Sequence, residues 1–597
     1  MNLKKNLIQI FSFFKPLRGA VFVQILLLIL LSLVSVIWPY YFGKIIDAIT
    51  SGAPTNIILD YIVILSIFLI LTSIFVIFRG VHETKYIHIQ AENILKQVSI
   101  KKMTELSVGQ HVRSDSGFKQ SALEEGSGAV QQVFFSINYD ILPSFVKYII
   151  IASTVAFISP IIAVTTVLIS VFQFALYQKV NLAHLDKWRK WREHNLEVSR
   201  WNSEIIRLIT QIIFRGASKE IIKDQDIKLK NLQKDFEKVW LPYEVKTSSI
   251  QFIGDINLIT VIALGVLSVS VWNTLTVGAL VALLTYTMRM VYNIEGIYGT
   301  FRRLAMLWPK TEKFFDILEL KNDIKEIKNP KQINESKNGY SIQFKNITFS
   351  HVEADEVKNE KKVKNKIKAL NDVSFEIQEG EVCAIVGRSG AGKTTIINLL
   401  LRAFDPDKGE ILISGIELKK LHLEKYRQKV GIVEQDVILQ NTTLRDNILF
   451  GMSEEENKKW TDEKLIQLAK LTRIDQFFDR LGDKPFETVV GERGVKLSGG
   501  QRQRVGIARA LAVNPAILIF DEATSSLDGE NEKAIHDAMR DAFKGRTVIV
   551  IAHRLSTVRH ADKIICVDGG KIAGIGKHDE LYESCLPYKT LVDIQSE

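Results

Sequence analysis

The chain is apolar in its first half and mixed in its second. Long hydrophobic runs fill the stretch from residue 20 to residue 300, whereas residues 310–597 mix apolar and polar positions as a globular domain does. A helix needs about 20 apolar residues to cross a bilayer. The runs therefore predict six membrane spans, near residues 20–42, 57–78, 141–159, 161–178, 251–272 and 276–297.

The segments between the spans differ in charge, and this difference predicts their side of the membrane. The connections at 48–56, 159–160 and 273–275 contain no lysine or arginine, while the segments 79–140 and 179–250 are rich in both. Basic residues concentrate on the cytoplasmic side of membrane proteins. Both termini, the two long segments and the second half of the chain are therefore expected in the cytoplasm, with the membrane helices continuing into it.

Charge and cysteine content support a membrane protein with a cytosolic half. The net charge of +10 is explained by the cytoplasmic bias, so nucleic-acid binding is not expected. Residues 1–19 do not resemble a signal peptide and predict a short amphipathic helix on the inner leaflet. The second half holds Cys383, Cys566 and Cys585, for which the reducing cytosol predicts no disulfide. No Cys/His cluster has the spacing of a metal site.

Three polar residues inside the predicted spans are candidates for contact with a transported molecule. They are Asp255 in the fifth span and Arg289 and Asn293 in the sixth. Polar side chains are costly in a bilayer and are often functional there. We hypothesise that they face a water-filled central cavity and that Asp255 pairs with Arg289. The alternative is that Arg289 extends to the inner interface and Asp255 marks the cytoplasmic end of its span.

A phosphate-binding loop lies in the second half. The short apolar strand EVCAIV runs into GRSGAGKTT, which fits the pattern G-x-x-x-x-G-K-[ST] and leads into an apolar helix. Backbone N–H groups of such a loop bind phosphates, the lysine reaches the β- and γ-phosphates, and the hydroxyl after it binds Mg²⁺. The predicted nucleotide contacts are Gly387, Arg388, Ser389, Gly390, Ala391, Gly392, Lys393, Thr394 and Thr395, with Thr394 also on the metal.

Two further motifs carry the chemistry of ATP hydrolysis. A buried strand, ILIF, ends in Asp521 and Glu522. Asp521 is expected to hold the Mg²⁺ shell and Glu522 to act as general base on the attacking water. The segment LSGGQ places a glycine pair at a helix start, where backbone amides and the helix dipole favour an anion. Its nucleotide contacts are predicted to be Ser498, Gly499, Gly500 and Gln501.

The combination of GRSGAGKTT, LSGGQ and DEATSSLD resembles the ATP-binding-cassette domain, and its fusion to six spans resembles an exporter-type half-transporter. The resemblance implies an α-helical six-span transmembrane domain followed by an α/β cassette ATPase domain, which has a mixed sheet and a helical signature subdomain. The expected boundaries are 1–310 for the membrane domain, 311–340 for a linker and 341–597 for the cassette. The segment TVVGERG at 488–494 is typical of exporters.

The resemblance also implies roles for single residues. His553 matches the switch histidine that contacts the γ-phosphate, and Gln435 matches a glutamine that touches Mg²⁺. His351 stands where the family usually has the tyrosine that stacks on adenine, and Ser526–Asp528 resembles the loop that signals between two nucleotide sites. Short coupling helices are expected near Ser114–Gly117 and near Phe214–Ala217, and the charged insertion at 352–368 is expected to be a solvated loop.

These expectations define a leading function and several alternatives. The leading interpretation is ATP-driven export or flipping of an amphiphilic or lipid-like molecule by alternating access, with ATP and Mg²⁺ as cofactors. The family pairs its cassettes head to tail, so a second copy of the chain is the expected partner, beside membrane lipids and the cargo. The expected location is the cell (inner) membrane of a prokaryote. Alternatives are an exporter of glutathione conjugates or metal-thiol compounds, an importer, a heterodimer, and a nucleotide-gated channel or regulatory ATPase.

Overall fold

The protein consists of two compact units, which are described separately. The computed structural model describes residues 3–113, 116–334, 336, 338–352, 366–521, 542–551 and 558–596. The helical unit contains Met1–Thr104 and Gly117–Leu320, and the sheet unit contains Glu105–Ser116 and Lys321–Glu597.

Long helices build almost all of the helical unit. Prolines or glycines mark several helix ends, such as Pro54 before one helix and Pro160 at the start of another. A π-helical turn follows one helix at Thr84–His88 and another at Ser136–Ile141. In chain order the helices are α1 (Leu3–Phe13), α2 (Arg18–Val34), α3 (Ile37–Thr50), α4 (Thr55–Glu83), α5 (Ile89–Glu105), α6 (Val108–Arg113, in the sheet unit), α7 (Ser116–Phe135), α8 (Leu142–Ile158), α9 (Pro160–Arg207), α10 (Ile209–Phe214), α11 (Ser218–Ser270) and α12 (Val277–Glu319).

The prediction of six membrane spans is confirmed. Six helical segments among the described residues are long and apolar enough to cross a bilayer. Several of them are much longer than the bilayer requires: α9 has 48 residues and α11 has 53. At about 1.5 Å per residue they measure roughly 70–80 Å, against about 30 Å of hydrocarbon. The first span is interrupted, because α2 ends at Val34 and α3 begins at Ile37.

The helical unit ends later than the sequence suggested. Its boundary is Leu320 rather than residue 310, because α12 continues without a break to Glu319. Phe314 and Phe315 in this last stretch are buried in a cluster with Phe14 and Phe134. The remainder of the expected linker includes Ile324 and Tyr340, both buried in the core of the sheet unit. The expected linker is thus divided between the two units.

The predicted amphipathic helix at the N-terminus is present as α1, and its apolar face packs on the protein. Ile10 is fully buried, and the ring of Phe14 lies 4.1 Å from that of Phe134 between centroids. Ile8 and Phe11 stay exposed on the remaining surface of α1. The helix is therefore anchored to α7 while it keeps apolar side chains for a membrane surface.

The helices α3 and α12 approach each other closely at two glycines. A Cβ atom on Gly43 would lie 2.5 Å from the carbonyl oxygen of Gly278, and one on Gly278 would overlap the carbonyl oxygen of Gly43. Asp47 uses this approach to cap α12, accepting from the Gly278 N–H at 2.7 Å and from the Thr276 hydroxyl at 2.8 Å. Such partners stabilise a helix start, because its first N–H groups have no acceptor within the helix.

The sheet unit has two sheets. One has the order β2-β1-β4-β5, and the other has the order β10-β9-β3-β8-β7-β6. In the second sheet β9, β3, β8, β7 and β6 are parallel and only β10 is antiparallel. The strands are β1 (Ile342–Val352), β2 (Lys366–Ile377), β3 (Val382–Val386), β4 (Lys408–Ile413), β5 (Ile416–Glu417), β6 (Val430–Val433), β7 (Ile517–Asp521), β8 (Thr547–Ile551), β9 (Lys563–Asp568) and β10 (Lys571–Gly576).

Helices surround these sheets and form three hydrophobic cores, one of which packs the last two helices against β9 and β3. Another core lies under the phosphate-loop helix, and the third joins the signature helix to β7 and β8. Cys383, Cys566 and Cys585 are buried and free, as the sequence predicted. The described helices are α13 (Lys393–Leu400), α14 (Leu423–Arg427), α15 (Leu444–Ile448), α16 (Glu454–Asn457), α17 (Asp462–Leu471), α18 (Gly499–Ala512), α19 (His578–Ser584) and α20 (Leu586–Ser596).

The contact between α3 and α12 yields a stability prediction. Replacing Gly43 with alanine should lower the thermal unfolding temperature of the purified protein, because the new methyl group overlaps the Gly278 carbonyl and overpacking costs about 1–3 kcal/mol. Gly80→Ala in α4 is the matched control, since a Cβ there meets nothing within 4 Å. The control should be neutral or slightly stabilising, because alanine is the better helix former. Equal unfolding temperatures for the two variants would contradict the prediction.

Candidate functional site

The motifs predicted to bind nucleotide meet at one edge of the larger sheet. The strands β3, β8, β7 and β6 are parallel neighbours, so the segments that follow them share the carboxyl edge. The phosphate loop follows β3, Gln435 follows β6 and Asp521 ends β7. Asp521 pairs in register with Ile551 at the end of β8. Residues that are far apart in sequence are thus collected where open parallel sheets bind ligands.

The phosphate loop has a conformation that depends on glycine. Gly390 has φ of 80° and Gly392 has φ of 107°, both in the left-handed region that side chains disfavour. Gly392 also caps α13, and a Cβ atom there would lie 2.7 Å from the side chain of Leu370. The loop therefore presents backbone N–H groups at the start of a helix, which is the arrangement that favours phosphate.

The Lys393 side chain turns back into this loop. It is 6% exposed, and its ammonium group donates to the carbonyl oxygens of Gly387 at 2.7 Å and Arg388 at 3.2 Å. The positive charge therefore lies inside the curve of the loop, as its predicted contact with phosphates requires. Of the remaining loop residues, Ala391 is buried, whereas Arg388, Ser389 and Gly390 are exposed.

The two threonines after Lys393 have different surroundings. Thr394 is exposed, whereas Thr395 is buried and lies 3.3 Å from Nε2 of His351. The His351 ring also packs edge-on against Phe349 at 5.0 Å and Phe404 at 5.8 Å. The imidazole predicted to stack on adenine therefore lies beside the phosphate-loop helix. Thr395 supports that ring, which leaves Thr394 as the hydroxyl available to a metal.

The three predicted metal ligands fit Mg²⁺. Thr394 and Gln435 are exposed and Asp521 is half-buried, so a hydroxyl, an amide oxygen and a carboxylate are accessible. These are hard oxygen donors, and Mg²⁺ is commonly held by one or two carboxylates together with substrate phosphates. When bound, the metal would supply charge neutralisation at the phosphates.

The signature segment is ordered by reciprocal hydrogen bonds at the start of α18. The Ser498 hydroxyl accepts from the Gln501 N–H at 3.3 Å, and the Gln501 side chain accepts from the Ser498 N–H at 2.9 Å. This is a capping box. A Cβ atom on Gly499 would meet nothing within 4 Å, so the helix start has open space beside it, while Gly500 is buried.

A buried arginine helps to hold the signature helix in place. Arg504 donates to the carbonyl oxygen of Arg473 at 2.8 Å and to the Gln476 side chain at 2.9 Å, and its guanidinium lies 5.2 Å from the Phe477 ring. Burial lowers the pKa of Arg504 from its usual value. These contacts fix α18 and therefore the direction in which its first turn faces.

Several predicted residues lie outside the described ranges. They are Glu522, His553 and the segment Ser526–Asp528, together with most of the charged insertion, residues 353–365. Their roles stay predictions. In the sequence, Glu522 directly follows Asp521, and His553 comes two residues after Ile551. Asp521 and Ile551 are paired with each other in the sheet.

The expected ion pair between Asp255 and Arg289 is wrong. Arg289 instead donates to the carbonyl oxygen of Ser35 at 2.6 Å and lies 5.5 Å over the Trp38 ring, both at the break between α2 and α3. Asp255 is exposed and lies in electrostatic range of another acid, Glu295. Asn293 is half-buried. The pairing fails because the face of α12 that carries Arg289 is turned toward α3.

A basic side chain that the sequence analysis overlooked lies near Arg289. Lys147 of α8 is in electrostatic range of both Arg289 and Arg79 of α4. Arg79 has its Nε atom buried and without a hydrogen-bond partner among the described residues. The signal that could have found Lys147 is a single charge within the apolar run 141–159.

Two short helices lie close to the positions expected for coupling helices. The helix α6 precedes the expected segment at 114–117, of which residues 114 and 115 lie outside the described ranges. Within the sheet unit it packs tightly, since a Cβ on Gly109 would overlap the Ala403 carbonyl and the Phe404 ring. The helix α10 ends at Phe214, where the second was expected, and leaves Phe214 85% exposed. Their coupling role stays a prediction.

Comparison with known proteins agrees with this geometry. The family described as ABC transporter transmembrane region matches residues 21–294, and the family described as ABC transporter matches residues 370–525. A solved bacterial Atm1-family ABC exporter with ATP bound superposes with a TM-score of 0.80 at 26% identity, over 97% of this chain and 99% of that chain.

Curated relatives include proteins of bacteria and of eukaryotes. ABC transporter B family member 6 of Dictyostelium discoideum is 29% identical over 97% of this chain and 84% of its own length. The ATP-dependent lipid A-core flippase of Haemophilus influenzae is 34% identical over 61% of this chain and 59% of its own length. These findings do not favour the alternatives of a gated channel, a regulatory ATPase or a thiol exporter. The chain belongs to the ABC transporters as an exporter-type half-transporter, in which a six-span membrane domain is fused to one ATP-binding cassette whose ATP hydrolysis drives export across the membrane.

Proposed function

We propose that the protein exports an anionic amphiphile, working as a homodimer with ATP and Mg²⁺. The observation that carries the cargo class is the group of three basic side chains, Arg79, Lys147 and Arg289, which come from three different helices of the helical unit. Charges in membrane spans are expensive and often mark a substrate pathway. Lys147 is in electrostatic range of both arginines, so an anionic group that enters beside Lys147 would relieve the repulsion it experiences.

A second basic cluster lies on the cytoplasmic extensions of the helices. Burial lowers the pKa of Lys313 in α12, and the neighbouring Arg200 and Arg192 of α9 lower it further. The acid in this cluster, Glu125, is already engaged by Lys310 at 2.9 Å, and that bond lowers the pKa of its carboxyl group. A surplus of positive charge below the membrane would attract an anionic cargo toward the inner leaflet.

The arrangement of the two nucleotide motifs supports the proposal of a homodimer. The phosphate loop, Lys393 and His351 form a single group, while Ser498 and Gly499 start a helix that belongs to a different hydrophobic core. An anion-binding helix start with open space beside it is suited to a nucleotide held by a second copy. In that arrangement Ser498 and Gly499 of one copy contact the nucleotide on the phosphate loop of the other.

Hydrolysis is assigned to residues at or shortly after the ends of strands in the sequence. The metal would be held by Asp521, Thr394 and Gln435. Lys393 neutralises charge on the phosphates. Glu522 orients and deprotonates the attacking water, and His553 contacts the phosphate that is transferred. Mg²⁺ and ATP supply the reacting phosphoryl group and its charge compensation. We place the protein in the cell (inner) membrane of a prokaryote with the sheet unit in the cytoplasm, supported by the bacterial flippase relative and the charge bias of the segments between spans.

A mixed dimer tests whether the site forms between two copies. A chain with Lys393→Ala, co-expressed with a chain with Ser498→Arg and purified through two tags, should retain ATPase activity. In a head-to-tail dimer both lesions fall in one site and the other site stays intact. The matched control pairs wild type with a chain that carries both changes, which damages both sites. ATPase activity in the control pair together with none in the test pair would contradict the head-to-tail arrangement of the two copies. Glu522→Gln in both chains gives the background.

The proposed anionic cargo is tested by comparing how amphiphiles of different charge stimulate the ATPase activity. Lys147→Gln should raise the half-maximal concentration of an anionic amphiphile for ATPase stimulation by roughly tenfold, because a charge-assisted bond contributes about 1.5–3 kcal/mol. A zwitterionic amphiphile of equal chain length should be unaffected. Lys44→Gln is the control, since Lys44 is exposed and lies over the Tyr40 ring on α3. Equal responses to the two amphiphiles in the wild type would exclude an anionic cargo.

The histidine at the adenine position gives a third prediction. His351→Tyr should tighten ATP binding roughly fivefold, and His351→Ala should weaken it, because stacking on a base contributes about 1–3 kcal/mol and a larger ring stacks better. Binding of a fluorescent ATP analogue to the Glu522→Gln protein measures both. His560→Tyr, at an exposed histidine of the same unit, serves as the control. An unchanged affinity in both His351 variants would place adenine elsewhere.

A further inference from the structure

The helix that follows the phosphate loop ends in a backbone conformation that arginine disfavours. Arg402 comes directly after the C-terminal cap of α13 and has φ of 51°, in the left-handed region. Two hydrogen bonds close this turn, from the Arg402 N–H to the carbonyl oxygen of Leu399 at 3.0 Å and from the Ala403 N–H to that of Asn398 at 2.8 Å. Helices that end in this motif usually have glycine at this position, and a residue with a side chain costs about 1–2 kcal/mol there.

The surroundings of the Arg402 side chain add two further costs. The residue is only 2% exposed, and burial of a charge is unfavourable unless the charge is paired and hydrogen-bonded. A second guanidinium lies nearby, since burial lowers the pKa of Arg427 and the neighbouring Arg402 lowers it further. Glycine at position 402 would avoid all three costs. The bonds that the Arg402 guanidinium makes therefore have to explain its presence.

These bonds join two parts of the sheet unit that are distant in sequence. Nε of Arg402 donates to the Asp405 carboxylate at 3.1 Å, which is a local contact. Nη2 donates to the carbonyl oxygen of Lys325 at 3.0 Å, across 77 residues of sequence. Lys325 belongs to residues 321–325, the junction segment, with which the chain enters the sheet unit directly after α12. The planar fork of an arginine can make both bonds at once.

The junction segment is an ordered part of the sheet unit. The Gln110 side chain of α6 donates to the carbonyl oxygen of Lys321 at 2.9 Å, and the Asn322 side chain donates to that of Glu105 at 2.8 Å. Ile324 is buried in the core under the phosphate-loop helix. Because the segment is fixed by these contacts, the bond from Arg402 connects α13 to a firm attachment point.

The opposite end of α13 carries the groups that bind nucleotide. Lys393 begins this helix, roughly 10 Å from its last residue, Leu400. The Leu400 carbonyl oxygen accepts from the buried Tyr426 hydroxyl at 3.0 Å, so the last turn is bonded as well. Rigid helices can carry coupling between their two ends. The phosphate loop and Arg402 are thus linked through two turns of helix.

We propose that Arg402 is a positioning residue that couples the phosphate loop to α12. Its bond to Lys325 ties the junction segment to the end of α13, so nucleotide binding at the loop and displacement of α12 influence each other. The established activity requires a link of this kind, because ATP hydrolysis in the sheet unit drives export through the helical unit. Arg402 acts through the position of α13, and its role is independent of the class of cargo.

Hydrogen–deuterium exchange of the full-length protein in lipid nanodiscs tests this coupling. Exchange is compared without nucleotide and with a non-hydrolysable ATP analogue and Mg²⁺, in a peptide that contains the phosphate loop and in one that contains the turn at 271–276 before α12. In the wild type, nucleotide should slow exchange at the loop and change exchange at the turn. In Arg402→Gly the loop should still be protected, whereas the response at the turn should be lost.

Two further variants separate coupling from support of the fold. Glycine favours the left-handed backbone, so Arg402→Gly keeps the shape of the helix end, while Arg402→Lys keeps the charge without the fork and should restore only part of the response. Arg427→Gln is the matched control. Arg427 bonds the same helix end, at the carbonyl oxygens of Leu401 at 3.1 Å and Arg402 at 3.0 Å, and neither bond reaches the junction segment. The control should keep the response at the turn.

The remaining outcomes would overturn the proposal. A response at the turn that persists in Arg402→Gly would show that coupling does not pass through Arg402. Loss of protection at the phosphate loop in the same variant would show that Arg402 only supports the nucleotide site. A wild type without any response at the turn would exclude the coupling itself. A response that is also lost in Arg427→Gln would show that the bond to Lys325 has no special part in it.

Discussion

The helical unit depends on the inability of hydrocarbon to hydrogen-bond with a polypeptide. A chain in the bilayer must satisfy its polar backbone groups internally, so the spans are built from helices. At the start of α12, Asp47 accepts from the Gly278 N–H, which has no acceptor within its own helix. The close approach at Gly43 brings the two helices near enough for this short carboxylate to reach.

The sheet unit solves a different problem, which is to bring distant residues to one place. Parallel strands with helices between them direct all their carboxyl ends to one edge, and the loop of Gly387, the amide of Gln435 and the carboxylate of Asp521 arrive there from three separate regions of the sequence. The glycines of the loop permit the backbone to turn where a side chain would collide. Rigid strands therefore hold the site, while loops supply its chemistry.

The sequence predicted what depends on local pattern and missed what depends on contacts between helices. Six spans and the phosphate loop follow from run length and from residue spacing, so they were predictable. The partner of Arg289 depends on the rotation of α12 and on the break between α2 and α3, neither of which has a local signal. Lys147 was visible as a charge in an apolar run, but its relation to Arg79 was not.

The bonds that Lys393 makes with its own loop bear on the release of spent nucleotide. The ammonium group donates to the carbonyl oxygens of Gly387 and Arg388, and these bonds hold it within the curve of the loop. Lysine must give up these bonds when it turns to a phosphate and regains them when the phosphate leaves. This exchange offsets part of the attraction for any phosphate, including that of the product. The exchange weakens the binding of ATP and of product phosphates alike, so Lys393 contributes less to affinity than its charge alone would suggest.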